Sequence, residues 1–338
     1  MWPVIGQQKA VSLLERSLER AAVAHAYLLV GPRHVGKMTL AITMAQALNC
    51  PSGTPPCGKC PACRRIAAGS FADVQVVGLE KASGEESRSK VEISIEQVRD
   101  LQHSASLAPF EGKYRVFIID QAERLSLGAA NALLKTIEEP PARVVFILLT
   151  VCEEALPATV VSRCQRLELR PLAAEAVERA LRERGQIEPA RARLLGRVSR
   201  GLAGWAFSAA SDDKLLSERL EIRDRIVSLT NGGLALRLVY AMELAELFGR
   251  DRQKVGEIFG IWREWWRDLM LAKLGLSGAV TSVDRTAELE TMAAGLGLGQ
   301  IRKFIGDIDL ASEELEQNAS PRLVLEVLVL NIPEGRNG

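Results

Sequence analysis

Ala26-Tyr27-Leu28-Leu29-Val30-Gly31-Pro32-Arg33-His34-Val35-Gly36-Lys37 is the stretch on which the fold turns. An apolar run ends at Gly31-Pro32, as a buried strand does. Residues 31–37 then fit G-x-x-x-x-G-K, and residues 38–48 read as a helix. Strand, loop and helix in that order are the setting in which this pattern cradles phosphate. Loop amides turn inward, the helix N-terminus adds positive potential, and Lys37 is placed to reach the outer phosphates. A Gly-Pro turn that merely precedes Gly-Lys is the plainer alternative. The next residue should offer Mg²⁺ a hydroxyl, but Met38 stands there. Thr39 follows, yet one helical step is about 100°, so its hydroxyl faces elsewhere unless the register shifts.

A second apolar run, Val116-Phe117-Ile118-Ile119, ends at Asp120. A strand-end carboxylate there is expected near the metal of a phosphate-loop site, with a solvated aspartate as the alternative. The position after it commonly holds the glutamate that activates water. Here it is Gln121, whose amide orients water but takes no proton. Glu123 is expected to point away. The candidate nucleotide ligands are therefore Gly31, Gly36, Lys37, Thr39 and Asp120.

Around these motifs, helical patterns over residues 8–22, 94–104 and 129–137 alternate with strand patterns over 73–77, 143–150 and 165–169. That alternation predicts an α/β domain with a parallel sheet over residues 1–171. Beyond it the chain reads as all-helical, a small domain over 172–211 and a larger one over 212–338. Residues 81–90 read as a polar exposed loop. Ser94 and Gln97 have capping-box spacing.

The chain has 338 residues, with 43 Lys+Arg against 42 Asp+Glu, which excludes coating nucleic acid through bulk charge. Hydrophobic residues at 47% and charged residues at 25% exclude a disordered chain. No apolar run approaches the ~20 residues of a membrane span. The first residues lack a basic and apolar leader, so a cytoplasmic location is expected. In a reducing compartment, cysteines point to metal before disulfides. Cys50, Cys57, Cys60 and Cys63 run C-x₆-C-x₂-C-x₂-C, enough to close a structural tetrahedral Zn²⁺ site over residues 50–63. An Fe–S cluster is the alternative. Cys152 and Cys164 stand apart and read as buried free thiols.

Several segments together carry a resemblance: Val4-Ile5-Gly6-Gln7, His25-Ala26-Tyr27-Leu28, the four-cysteine insert, residues 131–141 and Ser162-Arg163-Cys164. They resemble the AAA+ clamp-loader subunits of bacterial DNA polymerase III, over essentially the whole chain. The resemblance implies a P-loop module, a helical lid over 172–211 and an oligomerisation collar over 212–338. It implies an open five-subunit ring that places the sliding clamp on primed DNA. It makes Arg163 a catalytic arginine finger reaching a neighbour's γ-phosphate, and Thr150 a sensor-like position.

Met38, Gln121 and the lack of an arginine in residues 201–206 depart from the family's ATP-hydrolysing gamma/tau members. There is also no long C-terminal extension of the tau kind. These departures resemble the delta-prime branch, with gamma/tau and delta subunits, the clamp and primed DNA as partners. Own hydrolysis is then weak or absent, and ATP binding stays open. A gamma/tau-like motor and a stand-alone P-loop nucleotide enzyme are the rivals.

Trp262, Trp265 and Trp266 share a helix face, expected in a core or subunit interface. Ser320-Pro321 reads as a helix start. Residues 323–330 are apolar nearly all round, so that helix is expected to be buried on every side, in a collar packed against neighbours. The charges over residues 218–225 read as a solvated face.

Overall fold

The computed structural model describes residues 2–79, 92–317 and 319–334. The loop expected at 81–90 lies outside the described residues. By internal contacts the chain divides into two compact units, Met1–Ala180 with Gly201–Trp205, and Leu181–Arg200 with Ala206–Gly338.

In the first unit, α1 (Gln8–Glu19), β1 (Ala26–Val30), α2 (Lys37–Asn49) and α3 (Pro61–Ala67) come first. Then follow β2 (Val74–Val77), α4 (Ile95–Ala105), β3 (Arg115–Ile119), α5 (Leu127–Glu138), β4 (Val144–Thr150), α6 (Ala158–Val161) and β5 (Gln165–Glu168). All pairings are parallel and the strand order is β2-β3-β4-β1-β5, as the alternation requires. β1 and β4 are buried at every residue because helices cover both faces of the sheet.

The two-residue period of a strand sorts their side chains. Tyr27, Leu29, Val145 and Ile147 join the core under α1 and α2. Leu28, Phe117, Phe146 and Leu148 join the core under α4 and α5, where Phe117 and Phe146 stack at 5.4 Å. Ser94 and Gln97 form the expected capping box on α4.

At the amino-terminal edge of the sheet, Asp73 is fully buried. Its carboxylate accepts the N–H groups of Phe110, Glu111 and Gly112 at 2.7–2.8 Å, fixing the turn that enters β3. Burial alone would raise its pKa, but the three N–H donors and Arg115 bring it below the ordinary carboxylate value.

Helix α7 (Ala174–Gly185) is followed by α8 (Pro189–Val198), α9 (Ala203–Ser211), α10 (Asp213–Asn231) and α11 (Leu234–Arg250). The chain continues through α12 (Arg252–Lys273), α13 (Thr286–Gly295), α14 (Leu298–Glu316) and α15 (Pro321–Leu330). In the second unit Trp262, Trp265 and Trp266 are fully buried, with Trp266 4.7 Å from Phe304.

Within this chain α15 is covered on one side: Leu323, Val327 and Leu330 are 62%, 57% and 50% exposed, on the side expected to meet neighbouring collars. Only its Val324, Leu325, Leu328 and Val329 face turns into the unit, against α11 and α14. The 218–225 stretch departs from expectation, for it is not merely solvated. Arg223 is buried and bonds Asp284 at 2.8 Å, and Arg219 pairs with Glu264, because α10 turns that side inward and each cation needs a counter-ion there.

Candidate functional site

The phosphate loop grows out of the carboxyl ends of the central strands. Gly31 donates its N–H to Thr150 O at 3.1 Å, and Leu169 donates to Val30 O at 2.8 Å. A Cβ on Gly31 would lie 2.4 Å from Leu169 O, so only glycine allows the loop to leave the sheet so closely. Gly36, at φ 109°, forms the N-cap of α2. Lys37 Nζ donates back to the carbonyls of Gly31 and, at 2.8 Å, Pro32. Burial pulls its pKa down to about 8, the Glu123 and Asp120 carboxylates oppose the fall, and Arg33 adds to it.

Met38 packs against the apolar core and offers the loop no oxygen. Thr39 is exposed on the first turn of α2, with its carbonyl accepting from Thr43 Oγ1 at 2.6 Å. Asp120 follows β3 at the same edge of the sheet, its Oδ1 accepting Gln121 N–H at 3.0 Å. Gln121 has a left-handed φ of 53°, and its Oε1 accepts Arg33 Nη2 at 3.4 Å. The Glu123 carboxylate raises the pKa of Lys37 through space, ahead of Asp120, and its buried Oε2 has no hydrogen-bond partner among the described residues. Thr150 is buried beside Val30, its hydroxyl donating to Cys152 O at 2.8 Å.

Residues 201–205 also belong to this unit. Gly204 N–H donates to His34 O at 2.8 Å, and a Cβ on Gly204 would meet that carbonyl at 2.7 Å. The first turn of α9 thus lies on the phosphate loop, and α9 contains no arginine.

Arg163 sits elsewhere. It precedes β5, so it lies at the amino edge of a sheet whose carboxyl edge carries Lys37 and Asp120. β5 alone spans roughly 13 Å at ~3.3 Å per residue. The Arg163 side chain is 38% exposed. It pairs with Glu138 Oε1 at 2.7 Å and donates to Thr159 O at 3.0 Å and Ser162 Oγ at 3.4 Å. Nothing local in the sequence marks Glu138 as its partner. The pKa of Cys164 beside it is pushed up to about 12 by burial, the behaviour of an inert thiol. Cys152 departs from the expectation of a buried thiol: it is exposed, on the turn after β4, and donates to Glu154 Oε2 at 3.2 Å.

The four cysteines converge. Their sulfurs all lie within 4.8 Å of one another, with Cys50 and Cys60 at 4.0 Å. Tetrahedral Zn–S bonds of about 2.3 Å would set sulfurs about 3.8 Å apart, so the cluster fits such an ion. Backbone N–H groups of Cys60 and Cys63 point at Cys57 Sγ and Cys60 Sγ, at 3.3 and 3.4 Å. Donors of this kind favour thiolate. Bonds from the Lys59 and Cys60 backbone lower Cys57 to about 6, whereas burial lifts Cys63 to about 12. Gln46 ties the cluster to α2 through Cys63 O at 2.8 Å.

Residues 6–173 match the family described as DNA polymerase III, delta subunit. The tau subunit of Bacillus subtilis is 30% identical over 97% of this chain, which spans only 60% of that protein. The delta' subunit of the same organism is 27% identical, over 97% of both chains. The solved structure of a gamma-subunit-related protein from Thermotoga maritima aligns with 96% of this chain and 99% of its own, at 17% identity and a TM-score of 0.48.

Proposed function

Because the chain belongs to the clamp-loader family of bacterial DNA polymerase III, we propose that it is a delta-prime-like subunit lending an arginine finger to a neighbour. The observation that carries this is the exposed Arg163 on the sheet edge opposite Lys37. It is out of reach of its own phosphate loop and open to another subunit's. There its guanidinium would meet the charge that develops on a transferring γ-phosphoryl group.

Its own pocket keeps Gly31, Gly36, Lys37 and Asp120 for binding nucleotide. Met38 in the core, Gln121 turned to Arg33 and an arginine-free α9 leave hydrolysis weak. Gamma/tau and delta subunits, the sliding clamp and primed DNA are the partners of this reading. Residues 172–211 act as lid and 212–338 as collar, with the apolar stripe of Leu323, Val327 and Leu330 available to neighbouring collars. Zn²⁺ held by Cys50, Cys57, Cys60 and Cys63 would supply cross-linking of a Pro- and Gly-rich loop and no chemistry.

A gamma/tau-like motor is the second reading. The Glu123 carboxylate acting on Lys37 and the 30% identity to a tau subunit favour it. ATP turnover by the purified chain separates the two. The delta-prime reading expects almost none, and brisk turnover abolished by Lys37→Ala gives the case to the motor. One Zn²⁺ per chain, lost in Cys60→Ser, is the expected metal analysis.

A further inference from the structure

We propose that the phosphate loop of this chain binds a nucleotide polyphosphate free of Mg²⁺, with Arg33 supplying the positive charge that the metal brings to other phosphate-loop sites. The proposal rests on the reading that this pocket takes nucleotide.

The donor set does not fit the metal. Phosphate-loop sites hold Mg²⁺ between a hydroxyl on the first turn of the loop helix and a carboxylate after a neighbouring strand. Mg²⁺ demands a near-octahedral set of oxygens at short distances. At the first position Met38 packs against the core under α1 and α2, and a thioether is a poor ligand for so hard a cation. Thr39 carries the nearest hydroxyl in sequence, but it is one helical step of about 100° further round and exposed. At the second position Asp120 Oδ1 already accepts Gln121 N–H at 3.0 Å. Gln121 adds a neutral amide in place of a carboxylate, and its oxygen is taken by Arg33.

Where the metal's oxygens are missing, the loop has a second cation. Arg33 lies between Gly31 and Gly36, half-buried, and its guanidinium crosses to Gln121 Oε1 at 3.4 Å. It therefore joins the phosphate loop to the residues after β3, the two elements that a metal would bridge. Its charge acts on Lys37, so the two cations share one neighbourhood. Among the described residues neither has an ion pair, and both donate to neutral oxygens, Lys37 to the carbonyls of Gly31 and Pro32 and Arg33 to an amide.

A polyphosphate exchanges those neutral acceptors for ionised ones, and such charge-assisted bonds are roughly twice as strong. The planar guanidinium also presents parallel N–H groups to a phosphate. A cation fixed in the loop has no coordination sphere to complete, so the absent hydroxyl does not weaken it. A nucleotide held this way lacks the metal that neutralises charge on its γ-phosphate, in keeping with weak hydrolysis.

The test is calorimetry of ATP binding to the full chain, in buffer freed of Mg²⁺ beforehand and in the same buffer with millimolar MgCl₂. No chelator touches the protein, so the four-cysteine cluster stays as purified. The wild type should bind ATP at least as tightly without Mg²⁺ as with it. Arg33→Gln should lose about tenfold in affinity in the Mg²⁺-free buffer, the worth of one hydrogen bond to a charged group. Arg33→Lys should recover part of that loss, and Lys37→Ala should abolish binding. Thermal melting checks that each variant folds, and ATP should raise the wild-type melting temperature in both buffers.

Binding that needs Mg²⁺ or tightens with it overturns the proposal and leaves the pocket an ordinary metal-nucleotide site, with Asp120 and Glu123 as the groups that draw the ion. An unchanged affinity in Arg33→Gln also overturns it. Absence of ATP binding in either buffer, or binding that survives Lys37→Ala, overturns the nucleotide reading of the pocket and this proposal with it.

Discussion

The two edges of the sheet are built differently. At the carboxyl edge, Lys37 lies on backbone carbonyls, Glu123 has an oxygen with no hydrogen-bond partner among the described residues, and Gln121 follows Asp120 with a left-handed φ. At the amino edge, Asp73 satisfies three N–H groups and Arg163 is held by Glu138, Thr159 and Ser162. Two edges of one sheet can thus differ in local chemistry and both stay ordered, because the strands between them are held by apolar packing that serves both.

The largest expected effect breaks the comparison directly. Arg163→Ala in a reconstituted complex should lower ATP turnover at the one neighbouring site it serves by about 10³-fold or more. Nucleotide binding by the chain itself, measured by calorimetry, should not move. Equal losses in both would show that the two edges serve one site.

Asp73→Asn should destabilise the first unit by about 2 kcal/mol, read from denaturant unfolding, since a fully buried carboxylate loses charge-assisted bonds. The pKa of Asp73 is depressed on folding, so the stability it provides is present above the ordinary carboxylate value. It is lost as the pH falls through the folded value, and the difference between wild type and variant should shrink in acid.

At the carboxyl edge, Lys37 titrates at about 8 in the free pocket. A triphosphate pairs with the charged form, so its affinity should fall between pH 7 and pH 9, by about tenfold at one unit above that pKa. Phosphate raises the lysine pKa, so binding above pH 8 should take up a proton. Lys37→Arg should flatten the profile.

The smallest effect sharpens the amino edge. Glu138→Gln removes a half-exposed partner of Arg163, worth less than about 1 kcal/mol. It should change turnover of the complex by no more than a few-fold, against the loss from Arg163→Ala.

What was legible in the sequence is local. The strand-to-loop transition at Val30-Gly31, the strand ending at Asp120 and the capping box at Ser94 each depend on neighbours within a few residues. The four cysteines also lie close enough in sequence for spacing to bring them together. What was not legible depends on where the chain returns. Glu123 acts on Lys37 across the fold, and nothing near either residue in the sequence announces that. Glu138 meets Arg163 across 25 residues, and Arg223 finds Asp284 across 61. The apolar run at 323–330 calls for cover on every side, and within this chain α11 and α14 cover only one of them.

Helix α2 starts at Lys37 and stops at Cys50. One stiff rod of about 20 Å therefore has the Lys37 amine at its tip and the first thiol of the four-cysteine cluster at its root. Gln46 adds a second fastening near that root. Loosening the cluster would let the rod fray from the far end, so amide exchange along α2 should quicken from Asn49 backward before the lysine end feels it. A bolt that touches no substrate would then govern how steadily the anion cradle is held.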